Sequence, residues 1–507
     1  MVMMYPSRAI MDGWGKLGNA GWSFDTIAPY YQKSSTGHTP GPSARAVTGL
    51  DAYHDDSLSG NGPLQVSFSE EYTETFQGAW IKSFANLGLK TTADPRTGKS
   101  FGSFQNPASI DPTTKTRSFA ATAYYSAAVR ARDNLVVITE TLVKKVTTEK
   151  RGDEVIATGV VIQTKDGEEK TVTALSEVIL AAGALQSPQI LELSGIGGRQ
   201  LLESHGIPIV IDNPGVGEHL QDHAIACQSF EVADGVPSAD AFREKSLLDA
   251  VVQMYMSGQG GPLGMSPLVN TYAPLFDSAG IVSVDAKRAL VEKHLGKEPS
   301  SEFHFLREIV EATDEPTAQY LFLPFQLNVP PVAKSLGEYI APVHPENYIT
   351  VVTALNHPFS RGSVHITSPD ISTKPAWDPK YMSHPLDIEI LARHVQFVEK
   401  FVETAPFSAV IKPNGKRLPN IKGNDLESAK EIVRQHQISI FHPSGSLPML
   451  PREQGGVVNE RLIVHGTKNL RVVDASVFPL QTLGTIQATV YAVAERAADF
   501  IKEDAKK

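Results

Sequence analysis

Two side chains near the C-terminal end are of a type, and in a context, that could do chemistry. His442 stands in FHPSGS after the apolar run QISIF, and the proline that follows restricts its backbone. A histidine held in such a turn can take a hydroxyl proton near neutral pH. The plainer alternative is a turn histidine bonded to backbone. Asp474 ends the run NLRVVD before Ala475 and Ser476, where a carboxylate either caps the next turn or faces a cofactor. Arg361 and Arg471 are cations on strands or turns with many acidic partners available. The segment NPGVGEHLQDH carries His219, Asp222 and His223, but no third ligand at an informative spacing makes it a metal site.

Several elements must position these groups. The run VILAAGA reads as a buried strand whose small residues let the chain turn closely, with a helix beginning at Ser187-Pro188. The orphan amides of such a helix start can face a phosphate or a polar ring edge. Residues 118–132 and 70–88 read as helices, and 36–68 as a long surface excursion or lid. A β-rich segment, NLVVITETLVKKVTTE, leads to a hairpin turning at Asp166-Gly167-Glu168. Further on, ENYITVVTALNHPFSRGSVHITSPD gives two antiparallel strands across a turn at 359–362, and 387–404 is an amphipathic helix. The closing helix, 489–503, has Val490, Val493, Ala494 and Ala497 as its small apolar face. Residues 224–436 as a whole read as an α+β substrate domain.

Composition narrows the class. At 507 residues the chain exceeds one small core, which points to two domains. A net charge of −10 argues against nonspecific nucleic-acid binding. One cysteine, Cys227, excludes an intrachain disulfide framework and a cysteine-based zinc site. There is no long uncharged apolar run to span a membrane, and the opening MVMMYPSRAIMDGWG lacks the features of a signal peptide. A cytoplasmic location is the expectation, with secretion left open.

The motifs taken together resemble a known family. Gly183-Ala184-Leu185-Gln186-Ser187-Pro188-Gln189-Ile190-Leu191 followed by LSGIG is similar to the second signature of the glucose–methanol–choline family of FAD-dependent oxidoreductases. NPGVGEHLQDH, HPFSRGSV, HPSGS, GGVV and HGTKNLRVVDASVFP extend the resemblance across the chain, toward the fungal aryl-alcohol oxidase and glucose oxidase-like branch. It implies an α/β plus α+β fold: a Rossmann-like FAD-binding domain from 1–60, 125–222 and 437–507, and a substrate-binding domain with lid segments from 61–124 and 223–436. The latter would be built on a six-stranded antiparallel sheet. The implied cofactor is FAD, with Val143, Asp474, Ala475, Thr485 and Ile486 on its binding surface. The implied catalytic residues are His442 and Thr485. His442 would remove the proton of a small-molecule alcohol while hydride passes to flavin N5, on an aromatic or secondary-metabolite substrate. No metal, nucleic acid or membrane span is expected, and monomer and homodimer stay open.

Two departures qualify the resemblance. The strand and GxGxxG turn that hold the FAD pyrophosphate in the family do not occur before Met1, nor does the GGS-type start of the first signature. The expected consequence is a gap in the parallel sheet with apolar surface exposed. The chain is then either incomplete or a scaffold repurposed for non-redox lyase, isomerase or dehydratase work, or an inactive partner. The second departure is Thr485, where the family has histidine or asparagine. Threonine can hydrogen-bond an alcohol but cannot act as a base at neutral pH.

Overall fold

Runs such as AIACQSFE and YITVVTAL have no polar face, as expected of strands buried on both sides. In the computed structural model, which describes residues 2–69, 74–266, 268–296, 300–330 and 335–506, both are buried along their whole length. They are the Ala224–Glu231 and Tyr348–Leu355 strands at the centre of one antiparallel sheet. The strand order is Arg417–Leu418, Ala224–Glu231, Tyr348–Leu355, Ala318–Leu323, Val269–Ala273 and Gly102–Gln105, with Gln437–Ser439 also pairing onto Ala224–Glu231. The sheet thus has seven strands rather than six, because the short Arg417–Leu418 and Gln437–Ser439 segments share one neighbour.

The two faces of this sheet do different things. One carries Phe230, Tyr320, Phe322 and Val351 against Trp80, Phe84, Phe397 and Phe401, an aromatic core shared with the Pro385–Val402 helix. The other carries Ile225, Cys227, Val352, Leu321, Tyr272 and Phe104 against Val2, Met4 and Leu483. The second face therefore looks toward the C-terminal segment that contains the candidate chemistry.

That segment belongs to a mixed α/β part. Leu470–Val472 pairs in parallel with Val178–Leu180, and the chain turns from the latter into the Gly183–Leu193 helix. The run VILAAGA, read as a buried strand, is buried on one face only: Val178–Leu180 alternates buried, exposed, buried, with Ile179 42% exposed and Ala181 and Ala182 exposed, and Leu135 to Ile138 are exposed too. Arg471 is buried in the parallel pair, donating to Glu177 at 2.9 Å and Asp504 at 3.0 Å. The architecture is mixed α/β with a Rossmann-like region and an antiparallel-sheet substrate domain. Among the described residues no helix is long and apolar enough to cross a membrane.

Several local expectations are corrected. Residues 118–132 form not one helix but two single turns, Ala120–Ala123 and Ala127–Arg130, because Ser126 breaks the run and caps the second through its hydroxyl. The Gly183–Leu193 helix starts four residues before Ser187, with Pro188 inside it, since Asp474 accepts the Gly183 amide and so begins the helix early. The turn at 359–362 does not join a hairpin: Ser363–His365 pairs with Ala376–Asp378, while Tyr348–Leu355 is already flanked on both edges. NLVVITE is not in a strand; regular pairing begins at Thr141. The 36–68 region is less irregular than read, with Ser35–His38 pairing in parallel with Leu64–Ser67. Of the 70–88 helix, 70–73 lie outside the described residues and the α-helical part is Ala79–Asn86. The Asp166-Gly167 hairpin and the two long C-terminal helices form as read, as Pro385–Val402 and Gln487–Asp504. In the latter Ala494 faces outward and Ala492 takes its place in the core.

Candidate active site

The HPSGS turn is fastened on three sides. Phe441 takes a positive φ of 65°, and the His442 amide donates to Asp222 Oδ1 at 2.9 Å. Ser444 exchanges backbone hydrogen bonds with Gln221. Gly445 has φ +78°, and a Cβ there would stand 2.8 Å from Gln221 Nε2 and 2.9 Å from the His219 carbonyl, so only glycine fits. The Gly445 and Leu447 amides then donate to the carbonyls of Ala475 and Ser476. The run after Asp474 and the run after His442 are thereby locked together.

The imidazole of His442 meets that of His223, Nδ1 to Nδ1, at 2.9 Å, with the rings nearly perpendicular. The partners of His223 decide who donates. Its Nε2 faces two carbonyls, Asn356 at 3.0 Å and Thr482 at 2.9 Å, which can only accept, so Nε2 carries the proton. Burial pushes the His223 pKa down to about 4, so the ring is neutral and its Nδ1 is an acceptor. The Gln481 amide, which donates to His223 Nδ1 at 3.3 Å and to the His442 carbonyl at 3.0 Å, agrees with that tautomer. His442 must then donate from Nδ1, which leaves its Nε2 with a free lone pair. Burial, reinforced by His223, holds the His442 pKa well below the usual imidazole value. The arrangement is a neutral imidazole in a fixed tautomer, with one ring nitrogen able to take a proton.

The other sequence-derived residues fall into separate roles. Asp474 accepts from Gly183 N at 2.9 Å and Ser187 Oγ at 2.6 Å on one oxygen, and from the amide and hydroxyl of Ser476 on the other. It is a cap joining the helix start to the turn, with both oxygens engaged by the chain itself. Ala475 is half-buried beside it. Thr485 donates to the Val2 carbonyl at 2.5 Å, so its hydroxyl is directed to backbone, and Ile486 is buried. Val143 is half-buried, paired with Ile162 on a strand that packs against the Gly183–Leu193 helix. His219 is bonded to Glu302, which also pairs with Arg361, so it stands beside a half-buried ion pair behind the turn.

Sequence reading missed His223 as the partner of His442, and with it Gln481, Gln221 and Asn356. The one available signal was the adjacency of Asp222 and His223: the first anchors the His442 backbone and the second its side chain.

The residues present suit a flavin dinucleotide. At the carboxyl end of the parallel strand Val178–Leu180, Ala181 and Ala182 are exposed, and a Cβ on Gly183 would meet nothing within 4 Å. A small-residue turn from a parallel strand into a helix lets a phosphate-bearing ligand approach the backbone. The residues that would hold the group are Ala181 to Gly183 and Ala475, with Asp474 shaping the turn.

A buried neutral histidine whose turn is bonded to the run after Asp474, beside a small-residue strand-to-helix turn, fits an oxidoreductase of the flavin alcohol-oxidising class. Residues 1–225 and 358–494 match the family models of the GMC oxidoreductases, and the chain belongs to that family. It is 32% identical over 520 residues to the dehydrogenase mpl7 of Monascus purpureus, covering 98% of this chain and 81% of that protein. Its fold is similar to that of an FAD-dependent oxidoreductase from Chaetomium thermophilum, with TM-score 0.84 and 26% identity, covering 100% of this chain and 85% of that one. It is equally similar to a fungal aryl-alcohol oxidase, with TM-score 0.83 and 26% identity over 100% and 84% of the two chains. The chain is an FAD-linked enzyme acting on CH–OH donors.

Proposed function

We propose that the substrate is an alcohol on an apolar, aromatic skeleton, oxidised to the corresponding carbonyl with His442 as the base. One observation carries the reading: the Nδ1–Nδ1 contact with His223 leaves His442 Nε2 free and unprotonated. In this scheme Nε2 takes the hydroxyl proton of the alcohol as the C–H bond breaks and the C=O bond forms. FAD, when bound, supplies the acceptor for the hydride of that bond, a hydrogen carrying both of its electrons. The imidazolium so formed keeps its Nδ1–H donated to neutral His223, which spreads the new charge without moving a side chain. The apolar wall of Phe104, Tyr272, Leu321 and Leu483 favours an aromatic over a polyhydroxylated substrate. An aryl-alcohol oxidase among the similar structures and a dehydrogenase among the relatives support the same class. A panel of benzylic, short aliphatic and sugar alcohols assayed with FAD-loaded protein tests it. Turnover of sugars with none of benzylic alcohols would sink the aromatic assignment, and activity undiminished in His442→Ala would sink the base.

A further inference from the structure

On the sheet face that looks toward the catalytic segment, two buried carboxamides break the apolar pattern, whereas the hydroxyls of Ser229 and Thr350 on the same face bond each other. Asn270 is fully buried and neither its amide nitrogen nor its oxygen has a hydrogen-bond partner among the described residues. Gln319 is 1% exposed and its amide nitrogen is likewise unpartnered. Asn270 pairs with Leu321 and Tyr272 with Gln319 in the ladder, so Asn270 and Gln319 are diagonal neighbours on one face, roughly 7–8 Å apart. Their surroundings place them at the site. A Cβ on Gly484 would stand 3.0 Å from Gln319 Oε1 and 3.2 Å from His223 Nδ1, and Tyr272 donates to the Gly484 carbonyl at 2.6 Å. The buried Thr482 hydroxyl, on the same loop, also lacks a partner among the described residues.

A buried amide group without a partner is destabilising, and a fold that keeps three such atoms, both of Asn270 and the nitrogen of Gln319, on the face toward this loop does so for a ligand. Their ladder neighbours on this face, Phe104 and Leu321 for Asn270 and Tyr272 and Ala354 for Gln319, carry no charge. The ligand group is therefore neutral, and it can both accept from an amide nitrogen and donate to an amide oxygen. We infer that Asn270 and Gln319 are specificity-determining residues that recognise a second, uncharged oxygen function, a hydroxyl, on the skeleton of the alcohol substrate. This rests on the functional reading above for the carbinol being oxidised, and adds what else the substrate carries.

The probes are benzyl alcohol and its 2- and 3-hydroxy derivatives, with the FAD-loaded wild type and the near-isosteric variants Asn270→Leu and Gln319→Met. The expected wild-type preference for a hydroxylated alcohol is about tenfold or more in kcat/KM, as for a site built to bond a substrate hydroxyl. In the variants that ratio falls toward one, chiefly through KM. The melting temperature without substrate stays level or rises, because an unsatisfied amide has been removed. A second readout needs no turnover: the hydroxylated alcohols raise the melting temperature of the wild type more than benzyl alcohol does, and this difference disappears in both variants. A wild-type ratio near one, or a ratio and thermal difference that survive both substitutions, overturns the inference. Thermal discrimination without oxidation of any of the alcohols upholds the recognition site and overturns the functional reading instead.

Discussion

His223 Nδ1 lies 2.9 Å from His442 Nδ1, and the two carbonyls behind His223 make it the acceptor in that bond. One imidazole thus sets the tautomer of the other. Substituting His442 by glutamine, which keeps polarity but not basicity, should lower kcat by about 10²–10⁴-fold, the usual range for a general base. Because the His442 pKa is held well below 6.5, the base stays unprotonated through neutral and mildly acidic solution. The kcat/KM profile should be flat from pH 8 to below 6.5, with its acid limb beneath that value. A limb centred at 6.5 or higher would contradict the buried pair.

Thr485 gives a contrasting expectation. Its hydroxyl is bonded to the Val2 carbonyl, so Thr485→Val should remove one hydrogen bond, about 1 kcal/mol, and leave the pH profile where it was. Rates within about tenfold of wild type would fit a supporting role of this kind. A loss comparable to that of the His442 variant would assign Thr485 to the chemistry.

Asp474 accepts four hydrogen bonds that fasten the Gly183–Leu193 helix to the turn after it. Removing it in Asp474→Ala leaves buried donors at both ends, at a cost of about 3 kcal/mol. Chemical denaturation should show the midpoint moving down, and FAD should be lost more readily on dilution than from the wild type. Asp474→Asn, able to retain part of the network, should fall between the two.

Stability should depend on pH from both sides. His223, with a pKa pushed to about 4, and His357 and His394, pushed to about 3, are neutral in the fold because of burial. Below pH 6.5 the unfolded chain takes up protons these sites refuse, so their contribution, complete above 6.5, declines toward pH 3–4. Each accounts for about 1.4 kcal/mol per pH unit. His365 is opposite: bonds to Glu192 and Glu218 raise it to about 9, so its stabilisation is full below 6.5 and lost as pH rises through 9. Urea unfolding should give a maximum near pH 6.5–7, with His394→Gln flattening the acid side and His365→Gln the alkaline side.

Much of this was determined by the sequence itself. The long helices and the Asp166-Gly167 hairpin follow from hydrophobic period and turn chemistry, which act between residues a few positions apart. The motifs around Gly183, His442 and Asp474 identified the family and its cofactor class. Where local reading failed, a distant residue had intervened: Asp474 started the helix early at Gly183, and competing sheet neighbours took Tyr348–Leu355 from Ser363–His365. Only the tertiary structure decided that His223, 219 positions away, is the partner of His442, and that Asn270 and Gln319 stand unsatisfied beside the same loop. Those relations depend on which carbonyls a buried ring meets and which amides meet none. Spacing along the chain carries no record of either, because they arise only when strands far apart in sequence are packed face to face.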